Sequence, residues 1–240
     1  MSISVIIAAG YDRPWRMRAL LGLLARQTHK PHEVIIADDT GLPESPFAEL
    51  GARVVRSGLP PDVNGVSVAR NAAAYAATGD VILLLDDDSL PNLWCIEVHD
   101  YVHNLQQGKP AAVLGQRTVE YKVVGICPPI GPLSDKAKIE VQGNLTWGNF
   151  ISNNLSLTRE AFLALDGFDE DFAQPGEYGW EDIELGIRWL DAGYGFGYSP
   201  DAAVYHAENP RTAEKQAMAD KAYYRLVRKW PEKLLKRQGG

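Results

Sequence analysis

Three aspartates in a row, Asp86-Asp87-Asp88, follow directly on the apolar run Val81-Ile82-Leu83-Leu84-Leu85. Like charges this close raise one another's pKa and resist joint ionisation. A polar turn ahead of Pro91 accounts for one of them. It does not account for three behind a buried strand, where repulsion is least screened. A hard dication, Mg2+ or Mn2+, resolves the conflict. It takes one or two carboxylates and leaves its other positions to water and substrate phosphates. The chemistry this predicts is a cation held between protein carboxylates and a diphosphate. Two further acid pairs stand at element ends: Asp38-Asp39 after "HEVIIA", and Glu181-Asp182 at the start of "GWEDIELGIRWLDAG". Alone, the latter pair is an ordinary acidic first helical turn, where the macrodipole favours the charged carboxylate.

The elements that must position these acids alternate. "SVIIAA" (Ser4 to Ala9) is a short β-branched strand, and Pro14 opens a helical pattern through Leu20, Leu21, Leu24 and Gln27. "HEVIIADD" and "ARVVRS" are the second and third strands. "GVSVARNAAAYAATG" is an alanine-rich helix stopped by Gly79, and "VILLLDDD" is the fourth strand. Apolar strands alternating with helices imply an α/β fold with a mostly parallel sheet covered on both faces. Ligands of such sheets bind beyond the strands' carboxyl ends, where Asp38, Asp39 and Asp86 to Asp88 all fall. Further on, "AAVLGQRTVEY" reads as a strand, "PPIGPLSDKAK" as a Pro/Gly-rich loop, and "GNFISNNLSLTREAFLAL" as loop, strand and helix with Thr158 as N-cap. "GWEDIELGIRWLDAG" is a helix stopped by Gly193, and "DAAVYHAE" is a strand ending at His206.

The bulk numbers narrow the classes. The chain has 240 residues, 45% hydrophobic and 23% charged, with a net charge of −7. That suits one globular domain and argues against nucleic acid as a partner. Cys95 and Cys127 are too few for a disulfide framework, and no run is long enough to span a bilayer. A reducing, cytoplasmic setting is expected. After Pro210 there are nine Lys or Arg against three acids. Tyr224, Val227 and Trp230 could share one face of this C-terminal helix. It either packs on the domain or makes peripheral contact with an anionic membrane.

The series "SVIIAAGYDRP", "HEVIIADDT", "GVSVARNAAAYAATGDVILLLDDDSLP", "SNNLSLTREAFLALDGFDEDF" and "GWEDIELGIRWLDAG" resembles the family-two inverting glycosyltransferases of the GT-A fold. The "GWED" segment also resembles galactosyltransferase-type enzymes. The resemblance implies a GT-A domain over residues 1–210, with a nucleotide-sugar half (1–116) and an acceptor half (117–210), followed by the basic helix 211–240. It assigns Asp39, with Asp38 beside it, to the nucleotide base, and Ala8 and Arg70 to the nucleotide and its phosphates. It implies that Asp86 or Asp87 faces the ribose and donor sugar. Asp88 matches the metal ligand of an Asp-x-Asp motif, and His206 falls where related enzymes place a histidine on the metal. A neutral imidazole suits Mn2+ better than Mg2+.

Asp182 matches the family's base, and a carboxylate there can accept the proton of an acceptor hydroxyl. Glu181 binds acceptor hydroxyls or tunes it. Trp147, Tyr178 and Trp180 are candidate sugar platforms or core residues, and Asn153 and Asn154 bind sugar hydroxyls or cap a turn. The expected partners are a nucleotide-sugar donor, with UDP favoured by the resemblance, and a saccharide or glycoconjugate acceptor. The processive synthases' Gln-x-x-Arg-Trp motif is absent around Arg188-Trp189, which fits single additions. A dehydrogenase's glycine-rich turn is missing after the first strand, where only Gly10 stands. The alternative of another class is a catalytically silent nucleotide- or glycan-binding module on the same fold, which has no need of Asp182.

Overall fold

The computed structural model describes residues 1–11, 13–118, 145–206 and 212–235. The loop expected at 128–138, the end of the strand expected to reach Tyr121, and Cys127 lie outside these residues.

Strand β1 (Ile3–Ala9) is buried along its whole length, as an inner parallel strand with helices on both sides must be. It pairs in parallel with β2 (Glu33–Asp38) and β4 (Val81–Asp86), and β2 pairs in parallel with β3 (Arg53–Arg56). Beyond β4 the direction reverses. β7 (Asn154–Thr158) runs antiparallel to both β4 and β6 (Ala111–Thr118). β8 (Gly195–His206) is parallel to β6, and β5 (Ser89–Pro91) closes the edge antiparallel to β8. Among the described residues eight strands form one sheet in the order β3-β2-β1-β4-β7-β6-β8-β5. The expected parallel sheet is therefore its first half, and the second half is mixed.

Alternate residues of β4 divide the core. Leu83 and Leu85 pack with Met17, Leu20 and Leu24 of α1 (Pro14–Ala25) and with Ile96 and Val98 of α3 (Cys95–Leu105). Ile82 and Leu84 face the other way, onto Ala69 and Ala73 of α2 (Val66–Ala76), Phe162 of α4 (Arg159–Ala164), and Leu185 and Trp189 of α5 (Glu181–Asp191). The small residues of α2 let it lie close on the sheet. It ends at an extended Ala77 rather than at a glycine. Gly79 serves a different need, because a β-carbon there would come within 2.7 Å of the Ser4 hydroxyl. Gly193, at a φ of +75°, follows α5 as expected. Thr158 stands at the N-cap of α4 but makes no cap bond; its hydroxyl hydrogen-bonds the backbone of Ala111 instead.

Helix α3 carries a polar chain into the interior. Asn154 donates through Nδ2 to the carbonyls of Ala202 (2.7 Å) and Gln116 (3.3 Å), so its Oδ1 must accept. His99 Nε2, 3.1 Å away, then donates to that oxygen. In a neutral ring His99 Nδ1 accepts, here from Ser156 Oγ at 2.8 Å, which leaves that oxygen to accept from His103 Nε2 at 2.8 Å. Burial pushes the His99 ring down to about 4. Burial, with His99 beside it, pushes His103 down to about 3, so both are neutral.

The C-terminal helix α6 (Ala213–Lys229) packs on the domain. Of the expected face of Tyr224, Val227 and Trp230, Trp230 packs partly buried on the domain and Tyr224 does not. Ala219, Ala222 and Leu226 are buried, against Phe172, Ile183 and Ile187, and Tyr224 is 65% exposed. Arg225 pairs with Glu177, and Lys229 with Asp169 and Glu184.

Candidate active site

The acids collect at the carboxyl edge of the sheet because the strand registers put them there. Ala8 of β1 lies opposite Asp86 of β4, and Ala9 opposite Asp38 of β2. The chain turns through Asp87 and Asp88, then forms β5, where Ser89 is opposite His206. That pairing brings His206 Nε2 to 3.1 Å from Asp88 Oδ1 and 3.8 Å from Asp86 Oδ2. One ligand atom from each of the three residues lies within 4.8 Å of the others. Two carboxylate oxygens and an imidazole nitrogen at this spacing fit a divalent cation of the Mn2+ or Mg2+ kind. Burial alone would raise the Asp86 carboxyl, but His206 and Arg70 outweigh it and hold it below the usual range. Burial raises Asp88 despite His206. Asp87 is raised to about 6 by burial and by Asp88 and Asp86, and its Oδ2 is buried without a hydrogen bond.

Arg70 joins this cluster to the third acid pair. It is 3% exposed, and it reaches Asp86 Oδ1 at 2.8 Å and Glu181 Oε1 at 3.2 Å. Glu181 and Asp182 open α5 after Gly179 and Trp180, both left-handed at φ of +78° and +73°. A non-glycine residue held there stores strain of the sort found at functional sites. Burial, reinforced by Asp182, raises Glu181 to about 7. Burial also raises Asp182, against Arg70 and the amides of Ile183 (2.8 Å) and Ser152 (3.4 Å). The helix start was expected to favour the charged Asp182; desolvation outweighs it.

At the other side of the edge, the two strand-end aspartates separate in role. Asp38 is 2% exposed, and its Oδ1 accepts from Thr40 N at 2.9 Å and Thr40 Oγ1 at 2.7 Å, with Arg56 Nε 3.5 Å from Oδ2. Its Oδ1 shapes the turn, while its Oδ2 is buried with no hydrogen-bond partner among the described residues. Asp39 is half-buried, is hydrogen-bonded by Ser57 and the Gly65 amide, and is raised to about 6 by burial. A β-carbon on Gly65 would sit 2.5 Å from its Oδ1, so glycine lets this acid stand against α2. Ala8 accepts the Asp87 amide at 3.1 Å through its carbonyl, so it positions the acid turn.

The polar and aromatic candidates divide likewise. Asn154 is fully buried in the histidine network with its amide committed; it is a core residue and not an acceptor ligand. Asn153 is 7% exposed and receives Ser89 Oγ at its carbonyl. Trp180 donates from Nε1 to Ala219 O at 2.9 Å and packs on Tyr223 with centroids 4.8 Å apart, so α6 occupies much of it. Trp147, in a 3-10 turn over α5, packs partly buried in the same cluster. Tyr178 has Lys215 Nζ 4.2 Å above its ring. Sequence reasoning passed over Arg13 and Arg16, beside Asp87 and Asp88. Two cations directly behind the first strand, at the edge where the acids gather, were the available signal.

A model of glycosyl transferase family 2 matches residues 4–162, and a model described as the N-terminal domain of galactosyltransferase matches residues 137–209. The chain is 27% identical to a hyaluronan synthase of Pasteurella multocida over 85% of its own length and 24% of that protein's. It is 25% identical to an uncharacterized glycosyltransferase, YfnE, of Bacillus subtilis (strain 168), over 88% of its length and 66% of that protein's. The chain thus spans from about a quarter to about two thirds of these relatives. Among solved structures it resembles GalNAc-T7 with UDP, GalNAc and Mn2+, at a TM-score of 0.67 and 14% identity, over 95% of this chain and 48% of that one. It also resembles residues 1–349 of S. aureus TarS in complex with UDP, at a TM-score of 0.64 and 17% identity, over 95% of this chain and 64% of that one. The fold is GT-A, and with the family match covering more than half of its length the chain belongs to glycosyl transferase family 2.

Proposed function

We propose that the protein moves a sugar from a nucleotide sugar, with a UDP-hexose as the first candidate, to an acceptor hydroxyl with inversion. The observation that carries this reading is the run of ion pairs from Asp88 through His206, Asp86 and Arg70 to Glu181, with Asp182 the next residue of α5. It supports a site with a cation-binding end at Asp86, Asp88 and His206 and a carboxylate end at Glu181 and Asp182. Residues 1–116 form the donor half and 117–210 the acceptor half, with α6 as a packed element rather than an anchor. The UDP carried by two structural neighbours supports the choice of nucleotide, and the reading places the reaction in the cytoplasm as single additions in polysaccharide or glycoconjugate synthesis.

A dication held by Asp86, Asp88 and His206 would supply positive charge at the diphosphate. Arg70 adds a second positive charge where negative charge grows on the leaving group. Asp39 holds the base. Asp182 takes the proton of the acceptor hydroxyl as its oxygen bonds the sugar's anomeric carbon and the carbon–oxygen bond to the diphosphate breaks. Its raised pKa makes it a stronger base than an ordinary aspartate. A thermal-shift panel of nucleoside diphosphates with and without Mn2+ tests the donor half, since a ligand of the folded state raises its melting temperature. The expected outcome is a shift with uridine diphosphate that requires Mn2+; no shift with any diphosphate would refute it. Release of nucleoside diphosphate from a nucleotide sugar separates the enzyme from a silent module, which would bind the donor and release nothing.

A further inference from the structure

The acid turn after β4 has cations on both faces of the sheet. Arg70 arrives with α2, whose Ala69 and Ala73 pack on Ile82 and Leu84. Arg13 and Arg16 arrive with the start of α1, whose Met17 and Leu20 pack on Leu83 and Leu85, the opposite face. Arg16 Nη1 lies 3.9 Å from Asp88 Oδ2, too far for a hydrogen bond. The Nη1 groups of Arg13 and Arg16 are both buried and have no hydrogen-bond partner among the described residues. Neighbouring rings brace both guanidinium groups: Arg13 lies 4.4 Å over Tyr11, and Arg16 lies 5.2 Å over Trp15. Buried charged donors rarely go unmatched in folded proteins, and leaving them so is costly. Two of them, braced and adjacent, call for a ligand rich in anionic oxygens.

We infer that Arg13 and Arg16 hold the donor's diphosphate from the face of the sheet opposite Arg70, an inference that rests on the nucleotide-sugar reading above. A guanidinium presents a planar fork of donors that matches phosphate oxygens. Arginines on two faces meet the phosphates from both sides, where the metal cluster alone reaches them from one. Specificity then extends beyond the base, because a ligand without phosphates leaves both Nη1 groups unmatched.

Calorimetry in the presence of Mn2+ tests this by comparing uridine with uridine diphosphate on wild type, on the double variant Arg13→Gln/Arg16→Gln, and on Arg16→Lys. The double variant is expected to lose about 10–100-fold in diphosphate affinity while keeping wild-type affinity for uridine. Arg16→Lys, which keeps the charge and loses the fork, should fall between. An unchanged ratio of the two affinities in the double variant would overturn the inference, as would an equal loss for both ligands, which reports a damaged fold. A wild type that binds no uridine diphosphate would overturn the donor reading itself and this inference with it.

Discussion

Two polar assemblies lie against the same sheet and are built on opposite plans. In the histidine network under α3, each hydrogen bond from Asn154 to His103 has one consistent direction, and both rings are neutral. In the acid crevice, buried atoms of Asp87, Arg13, Arg16 and Arg70 have no hydrogen-bond partner among the described residues, and Asp87 and Glu181 are raised to about 6 and about 7. The first spends its polarity on fixing the fold. The second keeps it for something that arrives. A satisfied network rigidifies and a half-satisfied one is costly, so the difference separates the structural from the functional among residues of the same types.

The sharpest break in the comparison is Asp88→Asn, which removes charge without volume. Metal-dependent binding of the donor should disappear while the circular dichroism spectrum stays as it was; retained Mn2+-dependent affinity would show that Asp88 is not a ligand. Asp182→Asn comes next. Turnover should drop by about 10²–10⁴-fold, the range for a lost general base, with donor affinity unchanged by calorimetry. A variant whose only defect is donor binding would reassign the residue.

Acid titration then opposes the two regions. His99 and His103 have folded values below their ordinary 6.5, so their stabilising effect is complete above pH 6.5 and is lost as pH falls towards about 4 and about 3. Asp87 and Glu181 have raised folded values. Their contribution is present below the ordinary carboxylate range and is lost as pH rises through about 6 and about 7. The two partly cancel in wild type. In Asp87→Asn/Glu181→Gln two of the opposing groups are gone and, among the described residues, only Asp39, Asp88 and Asp182 remain, so stability should fall more steeply than in wild type between pH 7.5 and 5 by urea unfolding. An equal slope in both proteins would contradict the opposition. The smallest effect is expected of Asn154→Ala, which strands the His99 donor and two carbonyl groups. It should cost about 1–3 kcal/mol of stability and leave Mn2+ binding intact; a selective loss of substrate affinity would restore Asn154 to the site.

Much of this was legible in the chain where the information is local. The acids stand out because an apolar strand must end before charge can begin, and Val81 to Asp88 shows both in eight letters. What escaped depends on partners distant in sequence. Ser89-Leu90-Pro91 carries no strand signal, and a proline argues against one; only β8 makes it a strand. Asn154 reads as a sugar ligand or a turn cap until β6 and α3 surround it. The helix carrying His99 and His103 went unread because its apolar stripe is broken by the histidines the network needs. Tyr224 was read into the buried face of α6 because aromatics weigh heavily in a pattern, whereas contact with α5 selects the small side chains Ala219 and Ala222.

The three-residue pairing of β5 with β8 has a dynamic corollary. Asp88 and His206 stand at facing ends of those strands, so an ion between them would rivet the last seam of the sheet. Its arrival should slow deuterium uptake at Ser89 and Leu90, and its departure should let that margin fray, so that loading of the cofactor and order at the sheet's rim are a single equilibrium.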